Sequence, residues 1–235
     1  AVSTPNYGYF AGGGTPGDTP AVSSIIDRLD FSSDTIAGPP IHGIELNGEK
    51  SSSASVFNLN YGYFIGGESG GSYVDTIERI DFLNETVSAA TNNLPSSKSA
   101  MGGVSNLNYG YFGGGLPAST SIGKIDFSTE TISPEVSELT VPRQAMATIS
   151  AGKKINAKGF KKYRTDISGN SISKSYGYFA GGSTAPGSIQ AIISRIDFSS
   201  ETGSLPGNDL PEKRERLAAV STPNYGYFAG GHDSP

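Results

Sequence analysis

Five times this chain reads Tyr-Gly-Tyr-Phe-x-Gly-Gly, beginning at Tyr7, Tyr61, Tyr109, Tyr176 and Tyr225. A heptapeptide that returns after 54, 48, 67 and 49 residues marks a repeat architecture, and a period near 50 is that of one four-stranded propeller blade. The motif itself is suited to a strand. Alternate side chains of an extended chain share a face, so Tyr7, Tyr9 and Ala11 point one way and Gly8, Phe10 and Gly12 the other. Aromatic rings favour such a surface. The glycine between the tyrosines leaves room for a neighbouring sheet, and the Gly12-Gly13 pair permits backbone angles closed to other residues. A phosphate-binding glycine loop needs a following helix with a Lys or a GxGxxG spacing. Neither accompanies the motif, so no nucleotide cofactor is expected.

Each unit supplies three more strand candidates. An opening one precedes the motif, as in Ser53 to Phe57, Ala100 to Val104, Ala145 to Ile149 and Leu217 to Val220. Small residues alternate there with larger ones, as a crowded propeller axis requires. A third strand reads Ile25 to Phe31 and recurs around Ile80-Asp81-Phe82, Ile125-Asp126-Phe127 and Ile196-Asp197-Phe198. Its aliphatic residue and Phe share one face, its basic residue and Asp the other. Polar turns follow at Ser33-Asp34-Thr35, Asn84-Glu85-Thr86, Thr129-Glu130-Thr131 and Ser200-Glu201-Thr202, then a fourth strand through Ile36, Val87 or Ile132. The chain therefore predicts an all-β propeller domain of four-stranded antiparallel blades. Four are complete, over residues 1–47, 48–95, 96–142 and 143–211, and a partial fifth covers 212–235.

The pairs Arg28 with Asp30, Arg79 with Asp81, Lys124 with Asp126 and Arg195 with Asp197 share a strand face. They are expected to be solvated ion pairs, each contributing well under about 1 kcal/mol.

Two irregularities interrupt the pattern. Residues 153–174 lengthen the fourth unit and carry seven basic residues against the single acid Asp166, in a chain of net charge −5. A protruding basic hairpin is expected there, with Lys158, Lys161, Lys162 and Arg164 as candidate contacts to an acidic protein neighbour. Although Phe160 and Tyr163 could stack on bases, the acidic whole opposes nucleic acid as a partner. Residues 1–13 are also identical to 219–231, which predicts a fifth blade begun here and completed by a longer chain or a neighbouring subunit.

Catalytic chemistry finds little purchase. Cysteine is absent, which excludes disulfides and thiolate metal sites. With only His42 and His232, a His-rich zinc site is not expected, nor is calcium without a DxDxDG loop. The Ser residues lack a plausible His partner in a G-x-S-x-G setting, so acyl transfer is not expected either. No apolar run reaches about 18 residues and no charged-then-apolar leader opens the chain, so no membrane insertion is expected. A glycosidase would need two carboxylates about 5 to 10 Å apart. Asp18, Glu45, Glu68, Asp75 and Asp209 lie outside the repeat, and nothing singles out a pair.

The double glycine after an aromatic strand, followed about 20 residues later by a hydrophobic-Asp-aromatic strand, resembles the kelch repeat, without the tryptophan of its last strand. Asn-Tyr-Gly-Tyr-Phe-x-Gly-Gly with Arg-Ile-Asp-Phe-Ser-x-Glu-Thr is similar to repeats in virion proteins of marine cyanobacterial phages, tail fibres among them. The resemblance implies a kelch-type propeller and a non-enzymatic virion structural or surface-recognition protein, located on a virion or extracellular surface. Its expected partners are other virion or surface proteins, further copies of itself, or a host-surface glycan or protein. The alternative is a glycan depolymerase on the same scaffold.

Overall fold

A computed structural model of the chain describes residues 1–14, 22–37, 43–152, 174–184, 188–221 and 225–233. Among them no helix forms, and hence none long and apolar enough to cross a membrane. The strands make four antiparallel four-stranded sheets, arranged as a four-bladed β-propeller, with two further strand pairs. The first blade holds Val2–Ser3, Tyr7–Ala11, Ile26–Asp30 and Thr35–Ala37, and the second Ala54–Phe57, Tyr61–Ile65, Ile77–Asp81 and Thr86–Ala89. The third holds Gly102–Ser105, Tyr109–Gly113, Ser121–Asp126 and Ile132–Glu138, and the fourth Ala147–Gly152, Lys174–Ala180, Ile193–Asp197 and Thr202–Ser204. Strands Glu215–Ser221 and Gly226–His232 form a separate pair, as the partial fifth unit predicts.

One register repeats in every blade. The second tyrosine of the motif lies opposite the basic residue, as Tyr9 to Arg28, Tyr63 to Arg79, Tyr111 to Lys124 and Tyr178 to Arg195. Because strand side chains alternate, this register sends Tyr63, Ile65 and Ile77 to a face shared with Phe112, Ile125 and Phe127 of the next blade. Two like clusters are centred on Tyr9 with Ile80 and on Tyr111 with Ile196. The apolar core is thus distributed between consecutive blades.

The inner strands approach until only glycine fits. A Cβ on Gly103 would lie 2.4 Å from the Ser55 carbonyl oxygen, and one on Gly110 2.4 Å from Val56 Cγ2. Hydroxyls bridge the same strands, Ser105 donating to the Phe57 carbonyl at 2.9 Å and Thr148 to that of Gly103 at 2.7 Å. A backbone ladder runs beside them, in which the N–H groups of Arg216, Ala145 and Ala100 donate to the carbonyls of Ala145, Ala100 and Ser52 respectively. Each of these four residues is held at a φ between 51° and 56°, an uncommon conformation for a residue with a side chain. At the fourth blade Gly152 pairs with Lys174, so residues 153–173 stand in sequence between its first two strands. Lys158, Lys161, Lys162 and Arg164 lie outside the described residues, as do Asp18 and His42.

Candidate functional site

Three times, one blade reaches back to the one before it through the turn between its third and fourth strands. The turn begins at an Asp whose carboxylate accepts from the backbone two residues on, at 2.7 Å for Asp30 with Ser32 and 2.8 Å for Asp126 with Ser128. The serine hydroxyl, then this N–H, hold Asp30, Asp126 and Asp197 below the usual carboxylate range. The turn then places an acid in the left-handed region, Asp34, Glu85, Glu130 and Glu201 having φ of 53° to 57°. Glycine or asparagine is the usual residue there.

The reason for a glutamate is its carboxylate. Glu85 Oε1 accepts the Tyr9 hydroxyl at 2.9 Å and meets Arg28 at 2.7 Å. Glu130 Oε1 accepts the Tyr63 hydroxyl at 3.2 Å and meets Arg79 at 2.7 Å, while its Oε2 accepts the Thr91 N–H and hydroxyl. Glu201 accepts Tyr111 at 3.1 Å and meets Lys124 at 2.6 Å. The Phe at the same turn stacks on the same tyrosine, as Phe82 on Tyr9, Phe127 on Tyr63 and Phe198 on Tyr111, with centroids 4.9 to 5.4 Å apart. Each cation also lies over the first tyrosine of its own motif, 4.5 to 4.8 Å from the ring centre. Burial first, then the carboxylate, pushes the Tyr9, Tyr63 and Tyr111 phenols well above their usual pKa. They stay protonated donors.

These contacts correct the expectation of solvated Arg/Lys-x-Asp pairs. In the first three blades the cation's salt bridge crosses to the next blade's glutamate, because its own Asp is committed to the turn. The four turn acids were legible, each standing four residues after the strand's Asp. Their role was not, since a polar turn residue suffices to explain any one of them.

A second recurrent group escaped the sequence reading. Lys50, Lys98, Arg143 and Arg214 precede the first strand of each following unit. Their carbonyls accept the N–H of Gly13, Gly67, Gly115 and Gly182, glycines at positive φ. The side chains differ in company. Lys50 is buried in a salt bridge to Glu78 at 2.7 Å. Buried Arg143 donates to the carbonyls of Gly181 and Ile192 and to the Ser194 hydroxyl, and burial lowers its pKa to about 10. By register the place of Glu78 is taken by Gly123 in the third blade, and Lys98 lines a cavity of about 20 Å³ with Gly123 and Phe112. That space holds about one water, not a sugar or a nucleotide.

Two of the candidate acids are in structural use, Glu45 accepting from Ser24 and Asp209 from the Ile193 N–H. Glu68 opens a small hairpin, Glu68–Ser69 paired with Ser72–Tyr73, that projects an exposed Tyr73. Among the described residues, no three His, Asp or Glu side chains are grouped to hold a metal. Hairpin connections alternate between the two ends of a blade, so the loops after the double glycines gather on one rim and the acid turns on the other. No known protein-family model matches the chain, and no curated protein matches it.

Proposed function

We propose that the chain is a non-enzymatic structural or surface-recognition protein of a virion, a kelch-like phage tail-fibre or decoration component. One observation carries this reading: the contacts between blades repeat almost atom for atom, while the connections on the opposite rim differ in every unit. Glu68 to Tyr73 is a hairpin with glycines at its tip, Gly115 to Ser121 contains Leu116-Pro117, and Ser183 to Gln190 is different again. A rigid scaffold with variable loops is the usual division between support and contact surface. The partners are other virion or surface proteins, or a host-surface glycan or protein, with the 153–174 segment facing an acidic neighbour through Lys158, Lys161, Lys162 and Arg164.

A glycan array combined with a reducing-sugar assay tests the reading. Binding without sugar release, weakened at least about ten-fold by Tyr73→Ala or by a loop exchange, is the expected result. Release that disappears on changing Glu68 or Asp75 would replace it with a depolymerase.

A further inference from the structure

Lys50, Lys98 and Arg143 occupy one structural position in three successive blades, and the charge of each is met differently. At the second blade the Lys50 ammonium lies 2.7 Å from Glu78 and donates to the Thr76 hydroxyl at 2.9 Å. At the fourth, Arg143 donates to two carbonyls and a hydroxyl. Lys98, at the third, has a fixed backbone, its N–H donating to the Val74 carbonyl at 3.1 Å and its carbonyl accepting from Gly67 at 2.8 Å. Its side chain makes no hydrogen bond or ion pair among the described residues. Burial lowers the pKa of this amine, and the field of the exposed Glu135 offsets only part of that. A cation partly withdrawn from water without a partner is costly until negative charge is supplied.

The third blade cannot supply it from the position that serves Lys50. Phe112 stands opposite Gly123 where Phe64 stands opposite Glu78. A Cβ on Gly123 would lie 2.5 Å from the Phe112 ring, so no acid fits there with the ring in place. The outer strand bulges at the same point. Ile122 pairs with Ser137 and Lys124 with Ser133, which leaves Pro134, Glu135 and Val136 opposite Gly123, and bulges are over-represented beside functional sites. Between bulge, glycine and lysine lies the cavity of about 20 Å³, with Ser121 also on its wall. The Ser121 hydroxyl has no hydrogen bond among the described residues. Leu94, Met101 and Phe112 make much of the remaining lining apolar.

We propose that this cavity binds one small monovalent anion of the chloride class, held by the Lys98 ammonium and the Ser121 hydroxyl in the role that the Glu78 carboxylate has beside Lys50. Both polar groups can donate, which selects an anion over a metal cation. A space of about one water admits a single monatomic ion and excludes a phosphate ester or a sugar. The ion clips the connection that carries Leu94 and Lys98 to the third strand of the next blade, at Ser121. It is independent of what the rim loops recognise.

Chlorine NMR line widths of sodium chloride with the 235-residue protein test the site, at constant ionic strength made up with sodium gluconate. The wild type should give a saturable broadening, and its melting temperature should rise with chloride at the expense of gluconate. Lys98→Met should abolish both effects, whereas Lys213→Met, an exposed lysine elsewhere, should change neither. Should Lys98→Met fail to fold, Ser121→Ala is read in its place and should weaken the binding several-fold. A bromide-soaked crystal should show an anomalous peak between Lys98 Nζ and Ser121 Oγ. A wild type without saturable broadening overturns the proposal, as does broadening that persists in folded Lys98→Met and therefore belongs to other cations. A bromide peak in the cavity without saturable binding in solution is an adventitious ion only, and it overturns the proposal equally.

Discussion

Tyr63 and Tyr178 hold the same position in the second and fourth blades, yet their surroundings differ. Tyr63 is fully buried, stacked on Phe127 and bonded to Glu130. Tyr178 is half-buried, and among the described residues it has neither the ring nor the acid. The Tyr-Gly-Tyr-Phe motif and the register are the same in both blades, so the difference follows from the ring and acid that a following blade supplies to Tyr63. A blade here is therefore not a unit of stability. The unit is the contact between two blades, as expected where stability is a sum of nearest-neighbour terms.

That contrast can be broken or sharpened by mutation. The largest effect is expected at Phe127→Ala, which should cost about 3 to 5 kcal/mol, whereas Phe31→Ala should cost under about 1 kcal/mol in the dilute single chain. Equal shifts in urea midpoint would refute the distributed core. Next comes Glu130→Ala, at about 2 to 3 kcal/mol for the orphaned tyrosine and arginine, against about 1 kcal/mol or less for the more exposed Glu201.

Glu130 also carries a pH signature. Desolvation pushes its pKa up, but the Thr91 N–H and hydroxyl and the Arg79 guanidinium outweigh it and hold the group below its ordinary value. A depressed folded pKa gives stability that is complete above the ordinary carboxylate range and is lost as pH falls through the depressed value. Melting curves across that acid window should flatten in Glu130→Gln.

A smaller effect separates the glycines between the tyrosines. Gly110→Ala would drive a Cβ into Val56 of the preceding blade, at a cost of about 1 to 3 kcal/mol. Gly8→Ala meets only the edge of Phe31 at 3.2 Å, a ring free to shift, and should cost less by differential scanning calorimetry. The smallest effect is expected from replacing residues 153–173 with a short turn. Gly152 and Lys174 are already strand partners, so the melting temperature should hardly move, and loss of a cooperative transition would mean that the segment belongs to the blade.

The strands, their order and the partial fifth unit were legible because period-2 alternation and the aromatic-glycine motif recur in phase. Phe82, Phe127 and Phe198 could be placed on the aliphatic face of their strands for the same reason. The acid in the left-handed turn could not be given its partner, because Glu130 and Tyr63 are 67 residues apart and only the face-to-face stacking of blades joins them. Lys50, Lys98 and Arg143 were hidden by a different cause: each follows a divergent connection, and their neighbours Glu78, Gly123 and Ser194 share no chemistry. The residues of the basic segment lie outside the described part of the chain.

The backward reach of the acid turns has a temporal consequence. Glu85, Glu130 and Glu201 each complete the blade that precedes them in the chain. During synthesis, the newest blade must therefore wait with its tyrosine and cation uncovered until about 50 more residues emerge, roughly 3 to 10 s at ordinary elongation rates. The growing polypeptide carries one adhesive face at its young end throughout translation. Nascent neighbours on a crowded messenger could meet there before their own continuation arrives.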